Sequence, residues 1–273
     1  MNLSSTFILY KESLDKLNEW RTPINDKVDQ ISKTSKYPTK INYWDAHDRC
    51  EFLYQPATKN LNSQNEYPTV IFFHGGAWVT GEGKDFYFLI KHWRQWNLVI
   101  PNYIRMVDGN QSMQHTMQSV LETILYVRNN LIGHGAKVIL MGHSAGAHLA
   151  AYASTLLRCD GFIGLSGLYN LKKSSPQSLT QNFPDQDFDH WCAGRFDTLS
   201  NKVLLSRGDQ EDNIHHHIQY LQAAWDVEMD IFIPHNTDHF TIIHELVNKQ
   251  SKLYKKIEDF INNSAYRIKE LTV

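Results

Sequence analysis

The chain has 273 residues, of which 42% are apolar and 21% are charged, and its formal net charge is −2. A chain of this length and composition can bury one large α/β core, and a charge so close to zero argues against nucleic acid or an anionic membrane surface as a partner. The three cysteines, Cys50, Cys159 and Cys192, are widely spaced and form no CxxC pair, so we expect no disulfide framework, no structural zinc site and a cytoplasmic protein.

The first 40 residues are polar and carry some helical spacing, which predicts an N-terminal arm (residues 1–40) that covers part of a larger body. They contain no basic region followed by a long apolar run, and the chain has no apolar stretch of the roughly 18 residues that a membrane helix needs. We therefore expect neither a signal peptide nor a membrane association. Residues 41–54 alternate between apolar and polar, which is typical of an antiparallel strand pair.

Strand patterns and helix patterns alternate from residue 68 to the end of the chain. The predicted strands are 68–73, 98–103, 138–141, 161–165, 203–206 and 229–233. The predicted helices are 86–96, 113–130, 148–157, 218–224 and 250–261. This alternation predicts an α/β fold with a mostly parallel central sheet and helices on both faces, in a single domain over residues 1–273. The polar and irregular residues 170–200 are predicted to form a small cap-like insertion.

The motif Gly142-His-Ser-Ala-Gly146 stands where a predicted strand becomes a predicted helix. A serine on such a sharp turn projects its hydroxyl out of the sheet, and glycines two positions before and after it avoid collisions between the adjacent elements. The N–H groups at the start of the following helix favour developing negative charge. We predict that Ser144 is a nucleophile; the alternative is a glycine-rich helix start in which Ser144 is a cap.

A second motif, His74-Gly-Gly76, follows an earlier predicted strand. Two adjacent glycines let the chain turn so that successive backbone amides can face a developing oxyanion. We assign the amides of Gly75, Gly76 and Ala145 to an oxyanion hole. His74 is expected to brace this turn through a hydrogen bond, and the alternative is a tight loop with no role.

A general base for Ser144 is expected in a loop after the last strand. His239 occupies that place and is preferred over His235 and His244. The run of histidines at 215–217 lies in or beside a predicted helix, where adjacent residues do not share a face, so we expect no metal site there.

The acid of the triad is expected in the stretch Gly208-Asp-Gln-Glu-Asp212, which ends the strand 203–206. One of its carboxylates is needed to bind the second imidazole nitrogen and to stabilise the imidazolium. Asp212 is the preferred candidate, followed by Glu211 and then Asp209.

Together these motifs resemble the α/β-hydrolase superfamily. More narrowly, they resemble its HGG-motif branch, which holds the hormone-sensitive-lipase-like esterases and the kynurenine formamidases. The resemblance covers roughly residues 66–262 and is carried by HGGAW at 74–78, VIPNY at 99–103, GHSAGAHLA at 142–150 and DHFTII at 238–243. It implies the α/β-hydrolase fold, a Ser-His-acid triad and no cofactor.

The formamidases provide the nearer likeness within that branch. Ser166-Gly-Leu-Tyr-Asn-Leu171 is similar to the formamidase segment SGxYDL, with Asn170 in place of the usual aspartate. The acid loop GDQED counts as one residue longer than the common G-x-x-D. Gln219, seven residues after Asp212, matches the formamidase acid segment, and this favours Asp212.

The resemblance implies a serine hydrolase of the arylformamidase type, acting on a small acyl amide such as N-formylkynurenine. A short-chain carboxylesterase and a catalytically inert hydrolase-fold binding protein are the alternatives. A flat aromatic leaving group would need aromatic walls, for which Trp78, Tyr103 and Tyr169 are candidates, with core packing as the alternative role of each. The sequence leaves the oligomeric state open.

Overall fold

The computed structural model of the protein describes residues 39–44, 49–57, 67–106, 112–132, 135–174 and 187–263. Within these residues the chain forms an eight-stranded sheet in the order β1-β2-β4-β3-β5-β6-β7-β8. The strands are β1 (Thr39–Trp44), β2 (Arg49–Gln55), β3 (Thr69–Phe73), β4 (Asn97–Asn102), β5 (Val138–His143), β6 (Gly161–Leu165), β7 (Val203–Ser206) and β8 (Met229–Phe232).

Helices fill most of the connections between these strands. The α-helices are α1 (Leu89–His92), α2 (Met113–Asn130), α3 (Ala145–Leu156), α4 (Leu171–Ser174), α5 (Asp212–Ala224) and α6 (Lys252–Asn262). Short 3₁₀ segments lie at Gly83–Phe86, Ala193–Arg195 and Thr241–Leu246. None of the helices in the described ranges combines the length and the apolar character needed to cross a membrane.

The sheet is parallel from β4 to β8 and antiparallel at its first edge, where β1 pairs with β2 and β2 pairs with β4. Every residue of β3, β5, β6 and β7 is buried. Parallel strands that are buried on both faces read as continuous apolar runs, which is why these four strands were visible in the sequence.

Helices cover both faces of the sheet. Ile71 and Phe73 of β3 belong to one apolar cluster, which includes side chains of α2, α3 and α5, whereas Val70 and Phe72 belong to a second cluster, with side chains of α1 and α6. Successive side chains of a strand point to opposite faces. The predicted mostly parallel sheet with helices on both faces is therefore confirmed.

One predicted helix is wrong in extent. The 3₁₀ segment Gly83–Phe86 ends at the first residue of the predicted helix, and within 86–96 only the four residues of α1 are α-helical. The indole nitrogen of Trp93 donates to the carbonyl of Leu246 at 2.8 Å, and that of Trp96 donates to the Asn262 side chain at 3.0 Å. These contacts with the C-terminal part of the fold decide the local backbone, because tertiary packing outweighs weak helix propensity.

Other boundaries differ by several residues. Helix α3 begins at Ala145 and not at 148, and α5 begins at Asp212 and not at 218. The predicted arm at residues 1–40 lies almost entirely outside the described residues. Of the predicted insertion at 170–200, the structure describes 170–174 and 187–200. The single domain and the cap-like insertion stay predictions.

The two glycines of Gly142-His-Ser-Ala-Gly146 are sites of close backbone contact. A Cβ atom on Gly146 would overlap the carbonyl oxygens of Phe73 and His74 at the end of β3. A Cβ atom on Gly142 would overlap the backbone of Gly146 itself. Strand β3, strand β5 and helix α3 thus approach each other backbone to backbone, as the glycine spacing predicted.

This contact predicts a large cost for the substitution Gly146→Ala. We expect it to lower the free energy of unfolding by more than about 3 kcal/mol, because backbone and not a flexible side chain must give way. Gly135→Ala is the control, since Gly135 has φ of 86° but no atom near its missing Cβ, and it should lose only about 1 to 2 kcal/mol. Urea unfolding measures both, and equal losses would contradict the close-contact explanation.

Candidate active site

Ser144 lies on a strained turn between β5 and α3. Its backbone has φ of 54° and ψ of −121°, a conformation that non-glycine residues rarely adopt. Its amide donates to the carbonyl of Leu165 at 2.9 Å, which fixes the turn against β6. The hydroxyl therefore stands at the start of the 12-residue α3, where the free N–H groups create a positive potential.

His239 lies within hydrogen-bond reach of Ser144. The distance between Nε2 of His239 and Oγ of Ser144 is 2.8 Å, and Nδ1 of His239 lies 2.7 Å from Oε1 of Glu211. A carboxylate can only accept, so Nδ1 carries the proton and Nε2 is free to accept the Ser144 hydroxyl hydrogen. The structure thus brings together the serine and the histidine that the sequence singled out, which are 95 residues apart in the chain.

The carboxylate at His239 is that of Glu211, so the preference for Asp212 is corrected. Glu211 is 3% exposed, whereas Asp212 is exposed and is the first residue of α5, where a negative charge suits the helix dipole. Glu211 is the third residue after Gly208, which is the G-x-x-D spacing with glutamate in place of aspartate. The prediction from the sequence counted this loop as one residue longer and therefore preferred Asp212.

Three hydrogen bonds hold the buried Glu211 carboxylate. Besides His239, it accepts from the Ser166 hydroxyl at 2.6 Å and from the Gly208 amide at 2.6 Å, both on Oε2. Burial is the largest influence and opposes ionisation, but the hydrogen bonds from His239, Ser166 and Gly208 and the charge of His239 together outweigh it and lower the pKa of Glu211. Ser166, whose φ is 49°, was not assigned this role from the sequence.

Asp209, the third candidate acid, holds the loop that precedes His239. Its carboxylate accepts from the backbone amides of Asn236 at 3.0 Å and Thr237 at 3.1 Å. It also lies 3.3 Å from Nδ1 of His235, whose side chain is 90% exposed. His235, an alternative base in the sequence, therefore faces Asp209, and the hydrogen bond to Ser144 is made by His239.

The residues from His74 to Trp78 form a turn, called the glycine turn below. Two hydrogen bonds orient its peptide planes. Nδ1 of His74 donates to the carbonyl of Gly75 at 2.7 Å, and the hydroxyl of Tyr103 donates to the carbonyl of His74 at 2.9 Å. In a trans peptide the N–H points away from the C=O, so these bonds fix the N–H directions of Gly76 and Gly75 respectively. The expectation that His74 braces this turn through a hydrogen bond is confirmed.

The glycine turn is strained and lies against Ser144. Gly76, Ala77 and Trp78 have φ of 131°, 52° and 64°. A Cβ atom on Gly75 would lie 3.2 Å from Cβ of Ser144. Backbone strain of this kind persists only where the surroundings impose it, and it concentrates at functional sites.

The three aromatic candidates for pocket walls are buried in the core. Trp78, Tyr103 and Tyr169 are 0%, 4% and 1% exposed. Tyr103 stacks on the His74 ring with 4.2 Å between centroids, and Tyr169 packs its hydroxyl over the β6 backbone at Gly164. This burial favours core packing, the alternative role of each ring, and the pocket-wall role of the three stays a prediction.

His148, one turn into α3, connects the glycine turn to the predicted insertion. Its Nδ1 accepts from the indole N–H of Trp78 at 3.1 Å, and its Nε2 donates to the carbonyl of Trp191 at 2.6 Å. Both ring nitrogens of this neutral, fully buried imidazole are therefore used. Apart from its place in GHSAGAH, no pattern in the sequence pointed to this residue.

The histidine run at 215–217 lies in α5, as expected. His217 is buried and its Nδ1 accepts from the backbone amide of Asn170 at 3.0 Å, while His215 is exposed. Among the residues that the structure describes, no group of three or more histidine, cysteine, aspartate or glutamate side chains could hold a metal ion.

Two known proteins are similar to this chain in sequence. Kynurenine formamidase of Danio rerio is 23% identical over 244 residues, which are 82% of this chain and 82% of that protein. Isoprenylcysteine alpha-carbonyl methylesterase ICME of Arabidopsis thaliana is 30% identical over 141 residues, which are 44% of this chain and 32% of that protein.

Solved structures share the fold. The hyperthermophilic esterase of Pyrobaculum calidifontis has a TM-score of 0.62 and 12% identity, covering 93% of this chain and 97% of its own. Esterase 2 of Thermogutta terrifontis has a TM-score of 0.63 and 13% identity, covering 82% of this chain and 91% of its own.

The parallel sheet, the serine turn and the HGG motif define an α/β-hydrolase of the HGG-motif branch. A family model described as BD-FAE matches residues 52–225, and the chain belongs to that family.

The buried histidines around this site predict loss of stability in mild acid. Burial, the largest influence on each, lowers the pKa of His74 and His148 to about 4 and that of His143 and His217 to about 3, against an ordinary value of 6.5. As the pH falls below 6.5, the unfolded chain binds protons that the folded chain excludes. Each such group then removes up to about 1.4 kcal/mol per pH unit.

Urea unfolding between pH 7 and pH 4.5 tests this expectation. The free energy of unfolding should fall steadily over that range, and His148→Gln should fall less steeply than the wild type. His215→Gln, which alters an exposed histidine, is the control and should keep the wild-type slope. A wild-type profile that is flat below pH 6.5 would be incompatible with neutral buried imidazoles.

Proposed function

We propose that this protein is a serine hydrolase that cleaves a small acyl amide or ester through an acyl-enzyme. The observation that carries the proposal is the hydrogen-bonded chain from Ser144 through His239 to Glu211. A nucleophile, a base in reach of it and an acid that orients the base are the three parts that this chemistry needs.

In the first step, Oγ of Ser144 attacks the substrate carbonyl carbon while Nε2 of His239 takes up the hydroxyl proton. The imidazolium that forms is stabilised by Glu211, which stays ionised. The carbonyl oxygen becomes an oxyanion, and the backbone amides of Gly75, Gly76 and Ala145 are proposed to bind it. Loss of one such donor in comparable sites costs about 3 to 4 kcal/mol of transition-state stabilisation.

In the second half, the leaving amine or alcohol receives the proton from Nε2 of His239 as its bond to the acyl carbon breaks. A water molecule then gives its proton to His239 and attacks the acyl-enzyme. Collapse of the second tetrahedral intermediate returns the proton to Ser144 and releases the acid. Every proton is thus returned, and no cofactor is needed.

We propose an arylformamidase type of substrate, an aryl amide with a formyl or similarly small acyl group. The likeness to a kynurenine formamidase spans 82% of both chains, which supports an amide substrate. Ser144 is only 6% exposed, and this limited access suits a small acyl group. The likeness of the fold to esterases and the ICME match favour the second candidate, a short-chain carboxylesterase with the same mechanism.

Covalent labelling tests whether the serine is reactive. A fluorophosphonate probe should label the wild type and should not label Ser144→Ala. If the folded wild type stays unlabelled and hydrolyses neither N-formylkynurenine nor p-nitrophenyl acetate, the protein is an inert hydrolase-fold binder. Rapid ester turnover without deformylation would reject the arylformamidase and leave the carboxylesterase.

Substitution of the two adjacent carboxylates tests the assignment of the acid. Glu211→Gln should lower kcat by about 100- to 10,000-fold, because the imidazolium loses its charged partner and the tautomer of His239 is no longer fixed. Asp212→Asn is the matched control and should stay within about twofold of the wild type. Steady-state kinetics on whichever substrate the wild type turns over would decide, and the reverse order of losses would restore Asp212.

A further inference from the structure

His143, which directly precedes Ser144, makes a hydrogen bond to the main chain of the base. It is the last residue of β5 and is 2% exposed. Its Nε2 lies 2.7 Å from the carbonyl oxygen of His239. A carbonyl oxygen can only accept, so Nε2 of His143 carries the proton and donates it.

This bond completes the anchoring of His239. The carbonyl of His239 is held by His143, its Nδ1 by Glu211, and its Nε2 lies against the Ser144 hydroxyl. The contacts of Nδ1 and Nε2 restrict the rotation of the ring. The contact of the carbonyl restricts the position of the backbone from which the ring projects, and it therefore sets the distance between Nε2 and Oγ.

The other edge of the His143 ring faces the glycine turn. A Cβ atom on Gly75 would lie 2.9 Å from Nδ1 of His143. One side chain thus lies between the turn proposed to bind the oxyanion and the loop that carries the base. Because His143 is the residue next to Ser144, its ring connects the glycine turn and the His239 loop to the nucleophile.

His143 also lies where a charge would act on the base. Its ring centroid is 5.0 Å from that of His239. Burial foremost, and then the charge of His239, lower the pKa of His143 to about 3, although the hydrogen bond to the His239 carbonyl and the charge of Glu211 raise it. His143 is therefore neutral whenever His239 takes up a proton, and it adds no repulsion to the imidazolium.

We propose that His143 is a positioning residue that holds His239 at bonding distance from Ser144 through its Nε2–H bond to the His239 carbonyl. The inference rests on the proposed serine hydrolase function. His143 itself touches no reacting atom, and its effect passes through the position of the base. The expected consequence of its loss is a fall in kcat with little change in KM.

Three substitutions at this position separate the hydrogen bond from simple packing. His143→Leu removes the donor, His143→Asn is too short to reach the carbonyl, and His143→Gln carries an amide nitrogen near the place of Nε2. Leu and Asn should lower kcat by about 10- to 100-fold, with KM within about threefold, because small misplacements of a base have effects of this size. Gln should recover most of the activity.

Ile139→Ala is the matched control for stability. Ile139 is a fully buried core residue of the same strand, four positions before His143. Its truncation should lower the urea midpoint of unfolding without changing kcat at a temperature where the variant is folded. Equal losses of kcat in Leu, Asn and Gln, or losses that follow stability alone, would overturn the positioning role. The Asn and Gln pair keeps the test decisive if the Leu variant does not fold.

Crystal structures of the wild type and of His143→Asn provide a readout that does not depend on turnover. We expect the Oγ to Nε2 separation to be within hydrogen-bond distance in the wild type and to lengthen beyond it in the variant. An unchanged separation would overturn the inference even if the enzyme is active. A wild type that neither labels nor turns over substrate would reject the proposed function, while the measured separation would still judge the role of His143.

Discussion

The arrangement of the site depends on the hydrogen bonds that stabilise one buried carboxylate, that of Glu211. Glu211 is 3% exposed, and an ionised group so far from water is stable only if its oxygens are well partnered. Its partners come from three different connections: Ser166 after β6, Gly208 after β7 and His239 after β8. The carboxyl ends of three neighbouring strands are thereby joined, and the imidazole is oriented as a consequence.

Close backbone packing complements that polar network on the other side of Ser144. Gly142 and Gly146 allow β3, β5 and α3 to meet without intervening side chains, and Gly75 lies directly against the serine. The turn that results contains consecutive residues with positive φ. Its peptide planes are then fixed by His74 and Tyr103, which bind the carbonyl sides and leave the N–H sides directed away from these bonds.

Histidines fill several different roles in this molecule, and burial separates them. His74 and His143 use an imidazole nitrogen to bind the backbone carbonyls of Gly75 and His239, and His148 binds that of Trp191. Burial keeps all three neutral, since it lowers the pKa of each to about 3 or 4. Neutral imidazoles provide donors and acceptors without adding charge beside His239, which suits a site where one imidazole must gain a proton.

The sequence alone determined the fold class and most of the strands, because continuous apolar runs are typical of buried parallel strands and the glycine spacing around Ser144 encodes a close backbone contact. It also selected Ser144, His239 and the bracing role of His74, since each follows from the position of a motif relative to a strand. Only the tertiary structure decided between Glu211 and Asp212, because the sequence pattern does not show which of two adjacent carboxylates faces His239, and that direction is set by where α5 begins. It alone showed that Trp78, Tyr103 and Tyr169 are buried and that His143 reaches the His239 carbonyl, because contacts between residues far apart in the chain leave no local pattern.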